Sequence, residues 1–511
     1  MAIVITVRLP ESCLDPSVRS LTHRIQKLTS VLEVTKAMAA ERDLDSLLAR
    51  ILSEATKVIE ADRGSLFLLD REREELWTKI AHGSEEIRVP LGSGIAGTVA
   101  KTGEVINIPD AYREQRFNRT FDQTSGYHTR SVLCVPMRDA AGEITGVIEG
   151  LNKKEGTFTS EDEELLLAIG GQAAMAIEKA LLYEEISRLF EGFVSASVAA
   201  IESRDPSTAG HSGRVAALTT TLAQSLEGAG ASGYREVRFS SQDLQEIRYA
   251  SMLHDFGKVG VREAVLVKAE KLYPWELELV RARFALARRD LELASYRRRY
   301  QLALSPGGRS PTSLNEQEDA QLASSFQELD QAFEFILRCN RPTVLPDGGF
   351  ERLTELSRVT YRDGQNRTQP LLLSKEVEAL SIPRGSLSVA ERREIESHVT
   401  HTFRFLSLIP WSRSLRRVPE IAYAHHERLN GTGYPRAIPR DQIPLQSKMM
   451  AVADIYDALT AADRPYKKAV PHAMALDILW QEAAAGQLDP ELLSVFVDAE
   501  VPKVALGKAT R

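Results

Sequence analysis

Histidines and carboxylates recur in five short blocks in the second half of the chain. These are GHSGRV with His211, MLHDFGKVG with His254, Asp255 and Lys258, IESHVTH with His398, AHHERLNGTGYP with His425 and His426, and AVADIYDAL with Asp454. Each block sits in a helix-like context. Neighbouring residues on a helix point about 100° apart, so a His-Asp or His-His doublet can address two ions lying side by side, the aspartate sharing its two oxygens between them. Such doublets imply more than one metal. Imidazoles mixed with carboxylates suit iron, manganese, nickel or zinc, with iron or manganese the first choice, because magnesium and calcium prefer all-oxygen shells. A lone histidine in a helical domain is most often an ordinary core or surface residue, and His23, His82, His128, His401 and His472 read that way. Two doublets, a flanking lysine and nearby glycine signatures together point to a metal centre.

Composition narrows what else the chain can be. Its 511 residues exceed what one hydrophobic core organises, so two or three domains are expected. Apolar residues make up 43% and charged residues 26%, the balance of a soluble globular protein. No stretch reads as the long apolar run of a membrane span, and the N-terminus lacks the plan of a signal peptide, so a cytoplasmic address is expected. Cys13, Cys134 and Cys339 lie far apart without a CxxC pair, which argues against a disulfide framework and a thiolate zinc site. The formal charge of -7 gives no footprint for a nucleic-acid polymer, although local arginines can still hold a phosphate.

The elements that must position these residues follow from periodicity. Helix is expected from about Leu21 to Leu48, then β-rich runs (SLFLL, SVLCVPM, ITGVIEGL) between Ala61 and Asn152, then helix again from Glu161. That order describes an α+β domain with an antiparallel sheet and flanking helices. Between residues 160 and 204 an apolar stripe through Leu165, Ala168, Ile177, Leu181, Ile186, Leu189, Phe193 and Val194 suits a connecting helix that pairs with a second copy, giving a homodimer. Beyond Asp205 the chain reads as all-α and carries the metal blocks. Residues 273–383 interrupt it with an Arg-rich helix, a polar loop and an irregular piece, and read as an insertion.

The blocks, in this order, resemble the HD-GYP family of cyclic di-GMP phosphodiesterases within the HD phosphohydrolase superfamily. The resemblance rests on DPxTxGHS (Asp205 to Ser212), HDxGKxG (His254 to Gly260), HHE with GTGYP (His425 to Pro435) and VADxxDALTxxRPY through Asp463, Arg464, Pro465 and Tyr466. It implies metal ligation by His211, His254, Asp255, His398, His425, His426 and Asp454. It also implies catalytic roles for Asp255 and Lys258, and substrate contacts from Lys258, Gly433, Tyr434, Arg464 and Lys467. Some members hold a third metal with a glutamate four residues before the first histidine; Ser207 stands there, so two divalent transition ions are expected. Asn430 replaces the family's loop aspartate. Where the next histidine after Lys258 is due, only Arg283 appears, and the expected text recurs around His398 beyond the insertion, as in a variant branch.

Residues 27–186 resemble a GAF domain, the small-ligand sensor of cyclic-nucleotide phosphodiesterases and cyclases. GSGIAGTVAKTGEVINIPDAY and RFNRTFDQTSGYHTRSVLCVPM carry the pattern, and NKKEGTFTSEDE fits its signature with Asn152, Lys153, Phe158, Asp162 and Glu163. Lys153 and Asp162 are expected to pair and clip the closing helix to the sheet. The resulting plan is a tail over 1–26, a GAF domain over 27–186 with a cyclic nucleotide as its implied ligand, a connecting helix over 165–204, an HD-GYP domain over 196–500, and a tail over 501–511. The implied function is hydrolysis of the bacterial second messenger cyclic di-GMP to pGpG and then GMP under GAF control. Two alternatives stay open: a cyclic di-GMP binding protein acting through partners, and an HD phosphohydrolase of another nucleotide.

Overall fold

A sheet covered on both faces needs apolar residues pointing both ways, and the strands of the first half supply them by alternation. The computed structural model describes residues 43–78, 87–204, 209–227, 233–304, 311–345, 348–461 and 469–507, with scattered residues from 29 to 41. Two compact units result, Met1–Glu191 and Gly192–Arg511.

In the first unit α1 (Leu44–Val58) starts at an Asp43 cap, whose Oδ2 accepts from Ser46 N at 2.8 Å. Residues 32, 33, 35, 36 and 38 are also helical while 41 and 43 are not, so the single helix expected over 21–48 is broken at this cap. Then come β1 (Ala61–Asp70), β2 (Glu75–Thr78), β3 (Ile87–Pro90), α2 (Gly94–Thr102), β4 (Ile106–Ile108), α3 (Thr120–Ser125), β5 (Val132–Arg138) and β6 (Ile144–Lys153). The strands form one antiparallel sheet in the order β3-β2-β1-β6-β5-β4. Leu66, Leu68, Val135 and Ile148 face a core shared with α1 and with α4 (Ser160–Glu202), whereas Phe67, Cys134 and Val147 face α2 on the opposite side.

The signature residues close this unit. Asn152, at φ 54°, accepts from Arg130 N and Ser131 N and donates to the His128 carbonyl. Lys153 Nζ lies 2.9 Å from Asp162 Oδ1 and donates to the Ile59 carbonyl, tying α4, β6 and the end of α1 together. Phe158 is buried in the core beside α1, and Glu163 accepts from Asn107. Helix α4 is long and apolar enough to cross a membrane by length and composition, where no such run was expected. Alanines between its leucines and isoleucines raise the average, and 44% of that window is buried within the protein.

The second unit continues with α5 (His211–Ser225), α6 (Ser241–Leu253), a 3-10 turn (Phe256–Gly260), α7 (Pro274–Ala303), α8 (Pro311–Asn340) and α9 (Gly349–Arg358). A two-stranded hairpin, β7 (Thr360–Arg362) with β8 (Thr368–Pro370), precedes α10 (Ser374–Leu380) and α11 (Val389–Glu396). Next come α12 (His398–Leu406), α13 (Val418–Tyr423), α14 (Leu445–Thr460), α15 (His472–Ala484), α16 (Pro490–Asp498) and α17 (Val501–Gly507). Leu272, Val280, Phe284, Ile336, Leu353, Leu371 and Leu380 form a core of their own within the stretch read as an insertion. Its hairpin departs from the all-α expectation. Helix α17 buries Val501, Pro502 and Ala505, so structure continues past the boundary set at residue 500.

Candidate metal centre

Helix α6 opens on a Ser240-Asp243 capping box and ends at His254, so the His254-Asp255 doublet falls where the chain leaves the helix for the 3-10 turn. Gly257 is required there, because a Cβ would overlap the His398 carbonyl and the Thr402 backbone. Thr402 completes the junction: its hydroxyl accepts from Gly257 N at 2.8 Å and donates to the His254 carbonyl at 3.0 Å. The doublet is thereby fastened to α12, whose first residue is His398. His211 is the first residue of α5, His425 and His426 follow α13, and Asp454 lies within α14.

These side chains converge. Three groups have their ligand atoms within 4.8 Å of one another: His211, His254 and Asp255; His254, His425 and Asp454; and His398, His425 and His426. Asp255 joins them, with Oδ1 3.2 Å from His398 Nε2 and Oδ2 3.5 Å from His254 Nε2 and 2.9 Å from Lys258 Nζ. Asp454 Oδ1 lies 3.1 Å from His211 Nε2.

Tautomers decide what this cluster can bind. His254, His398 and His425 each donate Nδ1-H to the carbonyl three residues earlier, Ser251, Ile395 and Ala422, at 2.6 Å. Each therefore turns an Nε2 lone pair inward. Those three Nε2 atoms are buried and make no hydrogen bond among the described residues. A lone pair facing a carboxylate oxygen at 3.2 Å is repulsive unless a cation lies between them, and an unsatisfied buried acceptor costs about 1–3 kcal/mol. The donor set fits divalent transition cations.

Electrostatics agree with the geometry. Burial pushes the pKa of His254 down, that of His425 well down and that of His426 to about 3, so all three are neutral at pH 7, as candidate ligands must be. Burial would raise Asp255, but Lys258 and the surrounding imidazoles hold it well below the usual carboxylate range. Burial also opposes protonation of His211, yet hydrogen bonds to Asp454 and Asp457 outweigh it and lift its pKa to about 9.

Asp457 was not singled out from the sequence. Its Oδ2 accepts from His211 Nδ1 at 2.7 Å, and both its oxygens are gripped by Arg214, so it orients His211 as backbone carbonyls orient the other three. The signal was its place one helical turn after Asp454. Glu427, also passed over, is buried and accepts from Arg436 N and Ile438 N, folding the GTGYP loop back on itself. Gly433 serves that fold, since a Cβ would overlap the Glu427-Arg428 backbone. The Tyr434 ring lies 4.7 Å from the His426 ring, beside the cluster. Arg464, Lys467 and Ser207 lie outside the described residues.

Residues 43–177 match the GAF domain family and residues 370–492 the HD domain family. The chain joins an N-terminal GAF domain to a helical HD-type domain. The HD match takes in His398, His425, His426 and Asp454, while His211, His254 and Asp255 lie before the insertion. An HD domain implies divalent-metal binding, and the His/Asp clusters are its candidate ligands. The chain is 35% identical over 159 residues to the probable 3',5'-cyclic phosphodiesterase pde-5 of Caenorhabditis elegans, covering 28% of this chain and 22% of that protein. It is 34% identical over 186 residues to the dual 3',5'-cyclic-AMP and -GMP phosphodiesterase 11 of Drosophila melanogaster, covering 33% and 13%. The chain thus spans less than a quarter of either curated relative. Among solved structures, the GAF domain of a Coxiella burnetii phosphoenolpyruvate-protein phosphotransferase aligns at 21% identity and a TM-score of 0.29, over 32% of this chain and 98% of that one.

Two outcomes follow from the site. With divalent metal stripped, the stability contributed by His254, His425 and His426 is full above the free imidazole pKa of about 6.5 and falls below it, because the unfolded chain takes up protons that these buried imidazoles refuse. His211, raised to about 9, acts the other way: its contribution is full below about 6.5 and is lost as pH rises toward 9, so it adds nothing to the acid-side loss. Each neutral imidazole contributes up to about 1.4 kcal/mol per pH unit, so the thermal midpoint of the helical unit drops from pH 6.5 to 5. An unchanged midpoint would mean that the imidazoles are not buried neutral. Asp457→Asn weakens divalent-metal affinity by about 10–100-fold while circular dichroism stays unchanged, as read by titration with manganese.

Proposed function

We propose that this chain is a GAF-regulated, two-metal phosphodiesterase that hydrolyses cyclic di-GMP to linear pGpG, with slower conversion to GMP. The observation that carries the reading is Asp255, whose two oxygens serve two different histidine groups, the arrangement a carboxylate needs to bridge paired ions. His211, His254, Asp255 and Asp454 would hold one ion, and Asp255, His398, His425 and His426 the other, iron or manganese being the choice of the mixed imidazole-carboxylate donors.

Bound there, paired ions supply an activated water at neutral pH and positive charge against the phosphate. The chain's own groups do the rest. Lys258, 2.9 Å from Asp255, keeps that carboxylate ionised and adds a point charge beside the phosphoryl oxygens. Arg464 and Lys467 are proposed to grip the substrate phosphate from farther out. Tyr434, its ring tilted against that of His426, offers a ring edge and hydroxyl beside the cluster, with burial first and then Asp454 and Asp255 raising its pKa so that the hydroxyl keeps its proton. The buried Asp255-Lys258 pair and the oriented Nε2 atoms favour turnover over silent binding.

The cyclic di-GMP assignment rests on the GTGYP and RPY text. The names of the curated relatives favour a second reading, a 3',5'-cyclic mononucleotide as substrate or as the GAF ligand. On α4, Met175, Leu182, Ile186, Leu189 and Phe193 are 41–68% exposed at heptad spacing, the seam of a homodimer that would carry a GAF signal.

The protein purified anaerobically with manganese or iron, given cyclic di-GMP, cAMP and cGMP separately, is expected to release pGpG from the first. Replacing both His254 and Asp255 by alanine should cost at least about 1000-fold in rate. Hydrolysis of the mononucleotides alone would move the assignment to the second reading, and metal with bound nucleotide but no product would make it a binding protein. Leu182→Glu with Leu189→Glu is expected to raise the concentration of half-association in sedimentation by at least about tenfold; an unchanged value removes α4 as the seam.

A further inference from the structure

Helix α7 is apolar on two opposite faces. On the inner face Val280, Phe284, Ala287 and Ser295 are buried against the insertion's own core. The outer face carries Trp275, Leu279, Leu286, Leu293, Tyr296 and Tyr300, each between 43% and 68% exposed. With Ala282, Arg289 and Ala303, these positions recur at alternating steps of four and three residues along the whole helix. That repeat makes a continuous seam for another helix, which the inner face does not need. A helix apolar on both sides is a buried helix, and an exposed apolar strip of this length marks an interaction surface.

We propose that the outer face of α7 pairs antiparallel with the same face of a second copy of this chain. Charge selects both the occupant and the direction. Glu276 and Glu278 lie at the start of α7, and Arg297, Arg298 and Arg299 near its end. An antiparallel pair centred between Ala287 and Arg288 sets Glu278 against Arg299 of the second copy and Glu276 against its Arg297. The same register lays Leu279 on Tyr296, Tyr300 on Trp275 and Arg289 on Leu286. A parallel pair would stack Arg289 on Arg289 and run the arginine triplets side by side. Within one copy Arg298 pairs with Glu318 and Arg299 with Asp319 of α8, and Glu278 with Arg281, so the contacts across the seam would be shared with these local pairs. The helix dipoles also oppose in this direction.

Cysteine pairs test the register. In the full chain with Cys13→Ser, and with Cys134 and Cys339 buried, the double variant Leu279→Cys, Tyr296→Cys is expected to form a disulfide-linked dimer on mild oxidation. Either single variant is expected to stay uncrosslinked, because only an antiparallel pair brings 279 to 296. The exposed substitutions Leu286→Glu and Leu293→Glu, made in the Leu182→Glu, Leu189→Glu chain, should raise the concentration of half-association by at least about tenfold in sedimentation with circular dichroism unchanged. Crosslinking of the single variants instead would mean a parallel seam. Absence of any crosslink, with association untouched by the glutamates, would overturn the proposal.

Discussion

A buried carboxylate has to be compensated on every side, and Asp255 is the group around which the helical unit is arranged. Lys258 approaches one oxygen, His254 lies beside the same oxygen, and His398 faces the other. Removing a charge partner from such a place would leave an uncompensated ion, so the elements carrying these residues are not free to drift apart. The fasteners are short-range and specific: Gly257 lets the turn lie against the backbone at His398, and the Thr402 hydroxyl bridges the two. An ion held by these residues would couple metal binding to folding through this junction.

A second constraint is orientation. An imidazole ligates through one nitrogen only if the other is committed, and each of four histidines commits Nδ1 to a fixed acceptor, three to backbone carbonyls and His211 to Asp457. The difference follows from position. The three carbonyl-bonded histidines sit at or after the end of a helical turn and can reach back three residues. His211 opens α5, where the preceding residue is Gly210 in a left-handed conformation, and its Nδ1 bonds to a side chain instead. A side chain from α14 takes that role.

Adjacency explains what could be read in advance. The His254-Asp255 and His425-His426 doublets carry their meaning in two letters, and the sheet announces itself through the β-rich apolar runs SLFLL, SVLCVPM and ITGVIEGL of β1, β5 and β6. The short strands β2, β3 and β4 have too few residues for a period to show. Asp457 escaped because its partner His211 is distant in sequence, and a carboxylate one turn from another looks like an ordinary solvated face. The outer face of α7 escaped for a related reason. Apolar letters at helical spacing say that a helix has something to bury, and only the structure shows that its own core uses one face and leaves the other.

The placement of His398 shows how a candidate metal cluster can span a long intervening segment. The chain leaves the HD turn near Lys268 and returns near Glu391, and those points are bonded to each other: Lys268 Nζ reaches both Glu391 oxygens at 2.7 and 2.9 Å, and the Lys268 carbonyl accepts from Ser386. The Tyr273 hydroxyl donates to the same carboxylate at 2.6 Å. Burial would raise the pKa of Glu391, but the bonds from Lys268 and Tyr273 hold it at about 2, so the clasp stays charged at neutral pH. A segment whose ends meet can grow without moving what it connects, because loop-closure entropy rises only slowly with length and the added residues bury their own core. Beyond the clasp α11 runs directly into α12, and His398 arrives opposite Asp255 whatever the length of the chain between. The segment between the clasped ends is therefore free to acquire a surface of its own while the candidate metal cluster keeps its geometry.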